Sequence, residues 1–181
     1  MSSEQLVRNC APTLAGIKTG SLYAIHGADI DELKHDLASL NKALRAKGIR
    51  IIPLKISKTQ VLIYIYRPQM LKKDLSDPCA QEILKELGYS LESVEGSVSE
   101  LIMRLRSYES FPHEIGLFLG YPPPDVLGFI NNPHEGFMLT GYWKVYSNIE
   151  KAKEIFRRYK VCTQEYERML MSGRTLEQLV V

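Results

Sequence analysis

Residues 50–68, RIIPLKISKTQVLIYIYRP, contain the strongest strand signal of this chain. Both halves of this stretch are rich in β-branched and aromatic residues, and a short polar break at residues 57–59 separates them. Two such runs joined by a few polar residues predict a β-hairpin over residues 50–67. Pro53 has no N–H to donate to a neighbouring strand, so we expect the first strand to lie at a sheet edge.

Helical periodicity is present on both sides of this hairpin. In DIDELKHDLASLNKALRAKG, residues 29–48, leucines recur at helical spacing and Gly48 occupies the place of a C-terminal cap. The elements together predict an α+β fold, with a small mixed or antiparallel sheet that includes the 50–67 hairpin, packed with about five or more helices. The predicted helices cover 12–19, 29–48, 77–88, 97–108, two within 112–132, and 147–173; the other predicted strands cover 21–26 and 136–146, and 175–181 is either a short strand or a frayed tail.

Length and composition are those of an ordinary globular protein. The chain has 181 residues, of which 45% are hydrophobic and 24% charged, which predicts a single globular domain over residues 1–181. A formal net charge of +2 gives no bulk electrostatic attraction to nucleic acid or to a membrane surface. The chain also lacks an uninterrupted run of about 18 apolar residues. We therefore expect no membrane association, and nucleic acid is disfavoured as a partner.

The cysteines and the N-terminal residues predict a reducing compartment. Cys10, Cys79 and Cys162 are far apart and form no CxxC pair, so the usual zinc and redox signatures are missing. The first residues, MSSEQLVRNC, are polar and lack the apolar core of a signal peptide. The histidines have no metal-like spacing. The expectation is a soluble cytoplasmic protein with no metal site.

The segment RNCAPTLAGIKTG, residues 8–20, contains the first candidate for chemistry. If Pro12 begins a helix, Cys10 lies near its N-terminus, where the backbone amides lower the pKa of a thiol. Thr13 and Lys18 follow in the same segment. The alternative is an inert, buried thiol, and we favour it because free cysteine is among the most buried residue types.

The segment FPHEIGLFLGYPPPDVLGFINN, residues 111–132, is the most distinctive in the chain. Pro112 and Pro123 can each begin a short helix, as in a helix-turn-helix, with Gly116 at the crossing and Val126 packed against it. The second of these helices contains neither Arg nor Lys, which a recognition helix needs for phosphates and base edges. A buried helical hairpin, or one that binds something apolar, is the favoured interpretation.

Polar and aromatic residues near these prolines supply further candidates. His113 and Glu114 are adjacent and point about 100° apart on a helix, so they do not form a metal pair. His113 can still act as a general base or approach Cys10, whereas the simpler alternative is a polar pair that caps its own helix. Tyr121 lies between the two predicted helices.

The strand segments YIYRP and GYWKVY are dense in aromatic and basic side chains. Alternation predicts that Tyr66 shares a face with Tyr64, and that Tyr142 and Lys144 share another with Tyr146. Such a face can form a platform for a planar ligand. It can equally be the amphipathic rim of a packed sheet.

Four segments together resemble a known family. CAPTLAGIKTGSL, YIYRP, FPHEIGLFLGYPPPDVLGFI and GYWKVYSN look like the uncharacterised bacterial family called domain of unknown function 3793. The resemblance implies a single intracellular domain and supplies no activity, site or cofactor. It also implies a loose association with flavodoxin and iron-handling genes.

The favoured interpretation is a domain that binds a small molecule or a protein partner in a cleft bordered by residues 10–18, residues 111–124 and the aromatic strands. One alternative is a thiol-dependent or redox- or iron-linked enzyme that uses Cys10, and a third, disfavoured, is a helix-turn-helix-like DNA-binding regulator. No motif decides whether the chain is an enzyme, and none identifies a cofactor. The candidate ligand-binding residues are Cys10, Thr13, Lys18, Tyr66, Arg67, His113, Glu114, Tyr121, Tyr142 and Lys144.

Overall fold

The computed structural model describes residues 2–57, 59–107 and 110–181. Within them the chain forms many helices and two small antiparallel sheets, so the predicted α+β fold is confirmed. The helices are α1 Ser3–Leu14, α2 Ile30–Leu44, α3 Pro68–Asp74, α4 Pro78–Glu86, α5 Val94–Ser107, α6 Ile115–Phe118, α7 Pro123–Asn131, α8 Ile149–Met171 and α9 Leu176–Leu179. The strands are β1 Gly20–His26, β2 Arg50–Ile56, β3 Gln60–Tyr66, β4 Leu139–Thr140 and β5 Lys144–Val145.

The described residues group into two compact units. One unit runs to Met70 and resumes at Tyr159, and the other covers Leu71–Arg158. The first contains the three-stranded sheet, and the second contains the proline-rich segment with the two-stranded sheet. The expectation of a single domain over residues 1–181 stays a prediction.

The hairpin of residues 50–67 forms the centre and one edge of the larger sheet. The strand order is β1-β3-β2, and both pairings are antiparallel. Pro53 lies on the edge strand β2, as predicted, and the register shifts between Pro53 and Lys55. Lys58, in the predicted turn, lies outside the described residues.

The core of the first unit is built on one face of this sheet. Ile63 and Ile65 of β3 are fully buried in a cluster with apolar side chains of α1, α2 and α9. Tyr64 and Tyr66 alternate with them, and their rings stack at 4.6 Å between centroids, 3° from parallel. The two tyrosines therefore share the opposite face, as the alternation predicted.

The first helix begins nine residues before its predicted start. The Ser2 hydroxyl accepts a hydrogen bond from the Gln5 N–H and caps α1, which buries apolar side chains at helical spacing from Leu6 to Leu14. Pro12 therefore lies inside the last turns of the helix, and the prediction that it begins one is wrong. Cys10 consequently lies in the C-terminal half of α1, where the helix dipole disfavours a thiolate.

The long strand predicted over residues 136–146 is also wrong. The chain forms only the two short strands β4 and β5, which pair Thr140 with Lys144. The strand does not extend further because the backbone N–H groups of Tyr146 and Ser147 donate to the side chain of Asp125 instead of to a neighbouring strand.

Three other boundaries differ from the predictions. The last residues form α9, with Thr175 and Gln178 in a capping box, and are neither a strand nor a frayed tail. Helix α5 begins at Val94, three residues before the predicted start, and its predicted end at Tyr108 lies outside the described residues. The helix expected after Pro112 is reduced to the single turn α6.

Arg67 closes the C-terminal end of α1. Its Nε donates to the carbonyl oxygen of Thr13 at 2.7 Å, and its Nη2 donates to those of Leu14 and Val181 at 2.7 and 2.6 Å. The last carbonyls of a helix lack partners within the helix, and this guanidinium gives those of Thr13 and Leu14 a charged donor. Arg67, a candidate ligand-binding residue, is therefore engaged with the protein backbone.

Replacing this guanidinium is expected to destabilise the protein. We expect Arg67→Met to lower the free energy of unfolding by about 2 kcal/mol, because four backbone carbonyl oxygens, including that of Lys47, lose a charged donor. Chemical denaturation followed by circular dichroism measures the change. The control is Arg8→Met, which removes an exposed ion pair with Glu167 and should cost less than about 1 kcal/mol. Equal stability of Arg67→Met and the native protein would contradict the assignment.

Candidate functional site

A concave, largely apolar cavity lies within the second unit. Its volume is about 410 Å³, and α6, α7 and the β4–β5 hairpin supply most of its walls. The walls are mainly aromatic and aliphatic, with Phe111, Ile115, Val126, Phe129 and Trp143 among the lining residues. Phe111 lines the cavity and is 47% exposed, so the cavity is reachable from solvent.

The helical pair that supports the cavity packs as the sequence predicted. Gly116 of α6 lies so close to Val126 of α7 that a Cβ atom on Gly116 would come within 2.8 Å of the Val126 side chain. Gly120 has a φ of 75° and turns the chain between the helices. Helix α7 begins at Pro123, as predicted. A side chain at position 116 would therefore force the two helices apart.

Asp125 of α7 holds the cavity wall that contains Trp143. Its Oδ2 accepts a hydrogen bond from Trp143 Nε1 at 2.7 Å, and its Oδ1 accepts from the backbone N–H groups of Tyr146 and Ser147, both at 2.8 Å. The side chain is buried, and a buried carboxylate is tolerated only where hydrogen bonds replace its hydration. These three bonds connect α7 to the chain that follows β4.

Trp143, the single tryptophan of the chain, is held between two other rings. Tyr121 stacks on it at 4.9 Å between centroids and 30° between planes, and Phe156 meets it edge-on at 4.5 Å and 81°. Burial raises the pKa of Tyr121 to about 12, so its hydroxyl stays protonated at neutral pH. The ring of Trp143 is thus a fixed surface of the cavity.

A second recess lies on the other side of this aromatic pair. It has a volume of about 510 Å³ and shares Tyr121, Asp125 and Trp143 with the first cavity. Its other walls include residues 122–124 and the start of α8, with Lys73 and Lys151 among them. It is the more polar of the two recesses, and its two lysines are exposed.

Lys144 and His113 are the basic groups that line the first cavity. The Nζ of Lys144 donates to the carbonyl oxygen of Pro133 at 2.6 Å and lies 4.4 Å from the centroid of Phe137 and 5.7 Å from that of Phe129. The ring of His113 meets Phe129 edge-on at 4.8 Å and is exposed. Three candidates from the sequence, His113, Tyr121 and Lys144, therefore line one cavity.

Two other candidates of this unit do not line it. Glu114 is buried, accepts a hydrogen bond from the Tyr89 hydroxyl at 3.0 Å, and lies 3.9 Å from Nη1 of Arg104. These contacts to Tyr89 and Arg104 explain why a carboxylate is buried at position 114. Tyr142 is 42% exposed and packs against Phe156 at 5.5 Å.

Cys10, Thr13 and Lys18 form part of a buried polar cluster in the first unit. Cys10 is hydrogen-bonded to the side chain of Ser21, whose hydroxyl lies 2.9 Å from that of Thr13. Lys18 is 6% exposed and donates to the carbonyl oxygen of Gly20. Cys10, Thr13 and Lys18, three of the candidate ligand-binding residues, therefore lie in one cluster, which is closed to solvent.

Burial controls the protonation of this cluster. It raises the pKa of the Cys10 thiol to about 12, against the smaller opposing effects of the Lys18 charge and the Ser21 hydrogen bond. Burial also lowers the pKa of Lys18 to about 8. At neutral pH the thiol is therefore protonated and Cys10 is a poor nucleophile.

The remaining candidates, Tyr66 and Arg67, are engaged in the packing of the first unit, with Tyr66 stacked on Tyr64 and Arg67 bound to backbone carbonyls. A direct approach of His113 to Cys10 stays a prediction. The sequence reasoning missed Asp125, Trp143 and Phe129. The signal available for Asp125 was its position in the first turn of a proline-started helix.

Two properties of the described residues bear on function. No three His, Cys, Asp or Glu side chains in residues 2–57, 59–107 and 110–181 are grouped so that they could hold one metal ion. In the same residues, every helix is too short or too polar to cross a lipid bilayer.

Comparison with known proteins gives a family and no activity. A family model described as "Protein of unknown function (DUF3793)" matches residues 6–180, nearly the whole chain. Comparisons with curated proteins and with solved structures find no match. The family resemblance expected from the four sequence segments is thereby confirmed.

The Asp125 hydrogen bonds yield a stability prediction. We expect Asp125→Asn to lower the free energy of unfolding by about 2–3 kcal/mol, because the amide N–H₂ that replaces one oxygen would face another donor. The emission of Trp143 should also shift to longer wavelength in the folded protein. Denaturant titration followed by tryptophan fluorescence measures both effects. Glu135→Gln, at an exposed carboxylate of the same unit, is the control and should leave both unchanged.

The buried thiol yields a labelling prediction. Iodoacetamide at pH 7.5 should modify the half-buried Cys79 in the folded protein, whereas Cys10 should react only in guanidinium chloride. Peptide mapping by mass spectrometry distinguishes the two cysteines within one sample. Modification of Cys10 as fast as that of Cys79 in the folded protein would contradict the structure and favour a thiol enzyme.

Proposed function

We propose that this chain, which belongs to the DUF3793 family of proteins of unknown function, binds a small, largely apolar molecule in the cavity of its second unit. The observation that carries the proposal is the cavity itself. Small-molecule sites are concave, mostly apolar and aromatic, and contain a few polar groups that orient the ligand. A volume of about 410 Å³ lies within the roughly 300–1,000 Å³ of such sites.

The walls of the cavity are held in position before any ligand arrives. Asp125 fixes the indole of Trp143, and Gly116 allows α6 and α7 to pack closely. A site whose walls are already ordered loses little conformational entropy on binding. The ordered walls therefore favour a ligand that enters an existing cavity. They are less suited to a partner whose binding changes the shape of the surface.

A small molecule is favoured over a protein partner by the shape of the site. Protein partners usually bury about 800 Å² on each side of a relatively flat interface. The aromatic residues Phe129 and Trp143 instead line a recess.

The cytoplasm is the proposed location, and it is supported by the free thiols of Cys10, Cys79 and Cys162, which a reducing compartment preserves.

The two alternative functions receive less support. A thiol enzyme needs a reachable thiolate, whereas Cys10 is fully buried and its pKa is raised. A helix-turn-helix regulator needs cationic donors on its second helix, and Pro123–Asn131 contains neither Arg nor Lys. Its first helix is also a single turn, Ile115–Phe118.

A neutral apolar probe tests the proposal. N-phenyl-1-naphthylamine should bind saturably at one site, with a rise in its own emission and energy transfer from the single tryptophan, Trp143. Thr140→Phe, which adds a ring at the cavity wall, should weaken this binding about tenfold or more. Fluorescence titration of both proteins measures the two dissociation constants.

The matched control places the same ring outside the cavity. Met138 lies two residues before Thr140, is 51% exposed, and is not a lining residue of either recess. Met138→Phe should bind the probe as the native protein does. Binding that is absent, or that Thr140→Phe and Met138→Phe leave equally unchanged, would refute the cavity as the binding site.

A further inference from the structure

We infer that the ligand of this cavity is an aromatic acid whose anionic group is bound by Lys144. The inference rests on the proposed function and specifies the chemical class of the ligand. It follows from the charge of the groups that line the cavity, from the hydrogen bonds they already make, and from the distance between the Lys144 ammonium and the aromatic walls.

The Lys144 ammonium has N–H donors that are available to a ligand. It carries three N–H bonds, and within the described residues one of them has an acceptor, the carbonyl oxygen of Pro133. No carboxylate of those residues forms an ion pair with it. The side chain is half-buried among the rings of Phe129 and Phe137, which attract the cation but accept no full hydrogen bond.

The carboxylate that lines the cavity is already bound. Both oxygens of Asp125 accept hydrogen bonds, from Trp143 Nε1 and from the backbone N–H groups of Tyr146 and Ser147. Its capacity is therefore largely used by the protein. A positively charged ligand would find little free acceptor capacity there, whereas an anion would find the ammonium of Lys144.

The remaining polar groups of the walls also suit an anion. Thr140 has a hydroxyl that can donate, and the His113 imidazole has an N–H in either tautomer. In the described residues the contact recorded for the His113 ring is with Phe129, so its nitrogens are available at the edge of the cavity. Lys144, Thr140 and His113 thus offer donors to one ligand.

The aromatic walls define the rest of the ligand. Phe111, Phe129 and Trp143 line the cavity, and aromatic rings pack favourably edge-to-face or offset against one another. The Lys144 ammonium lies 5.7 Å from the centroid of Phe129. A ring that contacts Phe129 must therefore carry its acidic group within a few bonds, as an aryl carboxylate or arylacetate does.

A pair of matched probes tests this inference. We expect 1-naphthoate to bind about tenfold more tightly than 1-naphthamide, which has the same shape and no charge, because hydrogen bonds to an ion are stronger. Lys144→Met should abolish the difference and leave the affinity for 1-naphthamide unchanged, while Lys144→Arg should retain it. Quenching of Trp143 fluorescence at pH 7 measures the six affinities, those of both probes for the native protein and the two variants.

The control variant removes a lysine of the same unit that lines only the other recess. Lys151→Met should preserve the preference for 1-naphthoate. Equal affinities for both probes, with binding still weakened by Thr140→Phe, would overturn the aromatic acid and leave the cavity as a site. If neither probe binds at this cavity but N-phenyl-1-naphthylamine does, the aromatic acid is overturned and the proposed function stands. If none of the three probes binds there, the proposed function fails as well. Retained 1-naphthamide binding shows that the Lys144→Met variant is folded.

Discussion

The carboxylate of Asp125 accepts hydrogen bonds from three N–H groups of a segment that begins 18 residues later, at Trp143. Helix α7 and that segment have no continuous backbone ladder between them, since β4 and β5 pair only with each other. The Asp125 bonds therefore hold the indole against the cavity and turn the chain towards α8. A buried carboxylate with these donors satisfied is stable, and without them it would carry a large desolvation penalty.

Close packing between α7 and the segment that follows β4 adds to the hydrogen bonds of Asp125. A Cβ atom on Gly128 of α7 would come within 2.5 Å of the ring of Tyr146, whose N–H is one of the three donors to Asp125. Glycine at this position lets the segment lie directly on the helix, so the hydrogen bonds and the ring contact occur together. Helix α7 therefore supplies the hydrogen-bonding carboxylate of Asp125 and the glycine that contacts Tyr146. It also supplies the apolar cavity wall at Val126 and Phe129.

The sequence predicted the elements whose signals are local. The 50–67 hairpin, its edge proline and the start of α7 at Pro123 follow from turn chemistry and alternation within a few residues. The start of α1 was missed because Pro12 was given priority over the apolar spacing from Leu6 to Leu14, although proline is tolerated late in this helix. The long strand over residues 136–146 failed for a different reason. Its backbone donors bind a distant side chain, which no local pattern reveals.

Contacts between distant residues also decide which candidate residues are available to a ligand. Polar residues near unusual segments were all plausible ligand contacts from the sequence, but a buried polar group must first satisfy its own hydrogen bonds. Arg67 is committed to carbonyl oxygens at the end of α1, and Glu114 to Tyr89 and Arg104, so both are explained by the fold. Lys144 differs because its ammonium lies beside an apolar recess and, among the described residues, donates to one protein acceptor, the carbonyl oxygen of Pro133. Lys144 is half-buried, so water can accept its remaining N–H bonds, and an anionic group that replaced this water would make charge-assisted hydrogen bonds beside apolar walls. The combination of an available donor and an apolar recess is the physical basis of the proposed function.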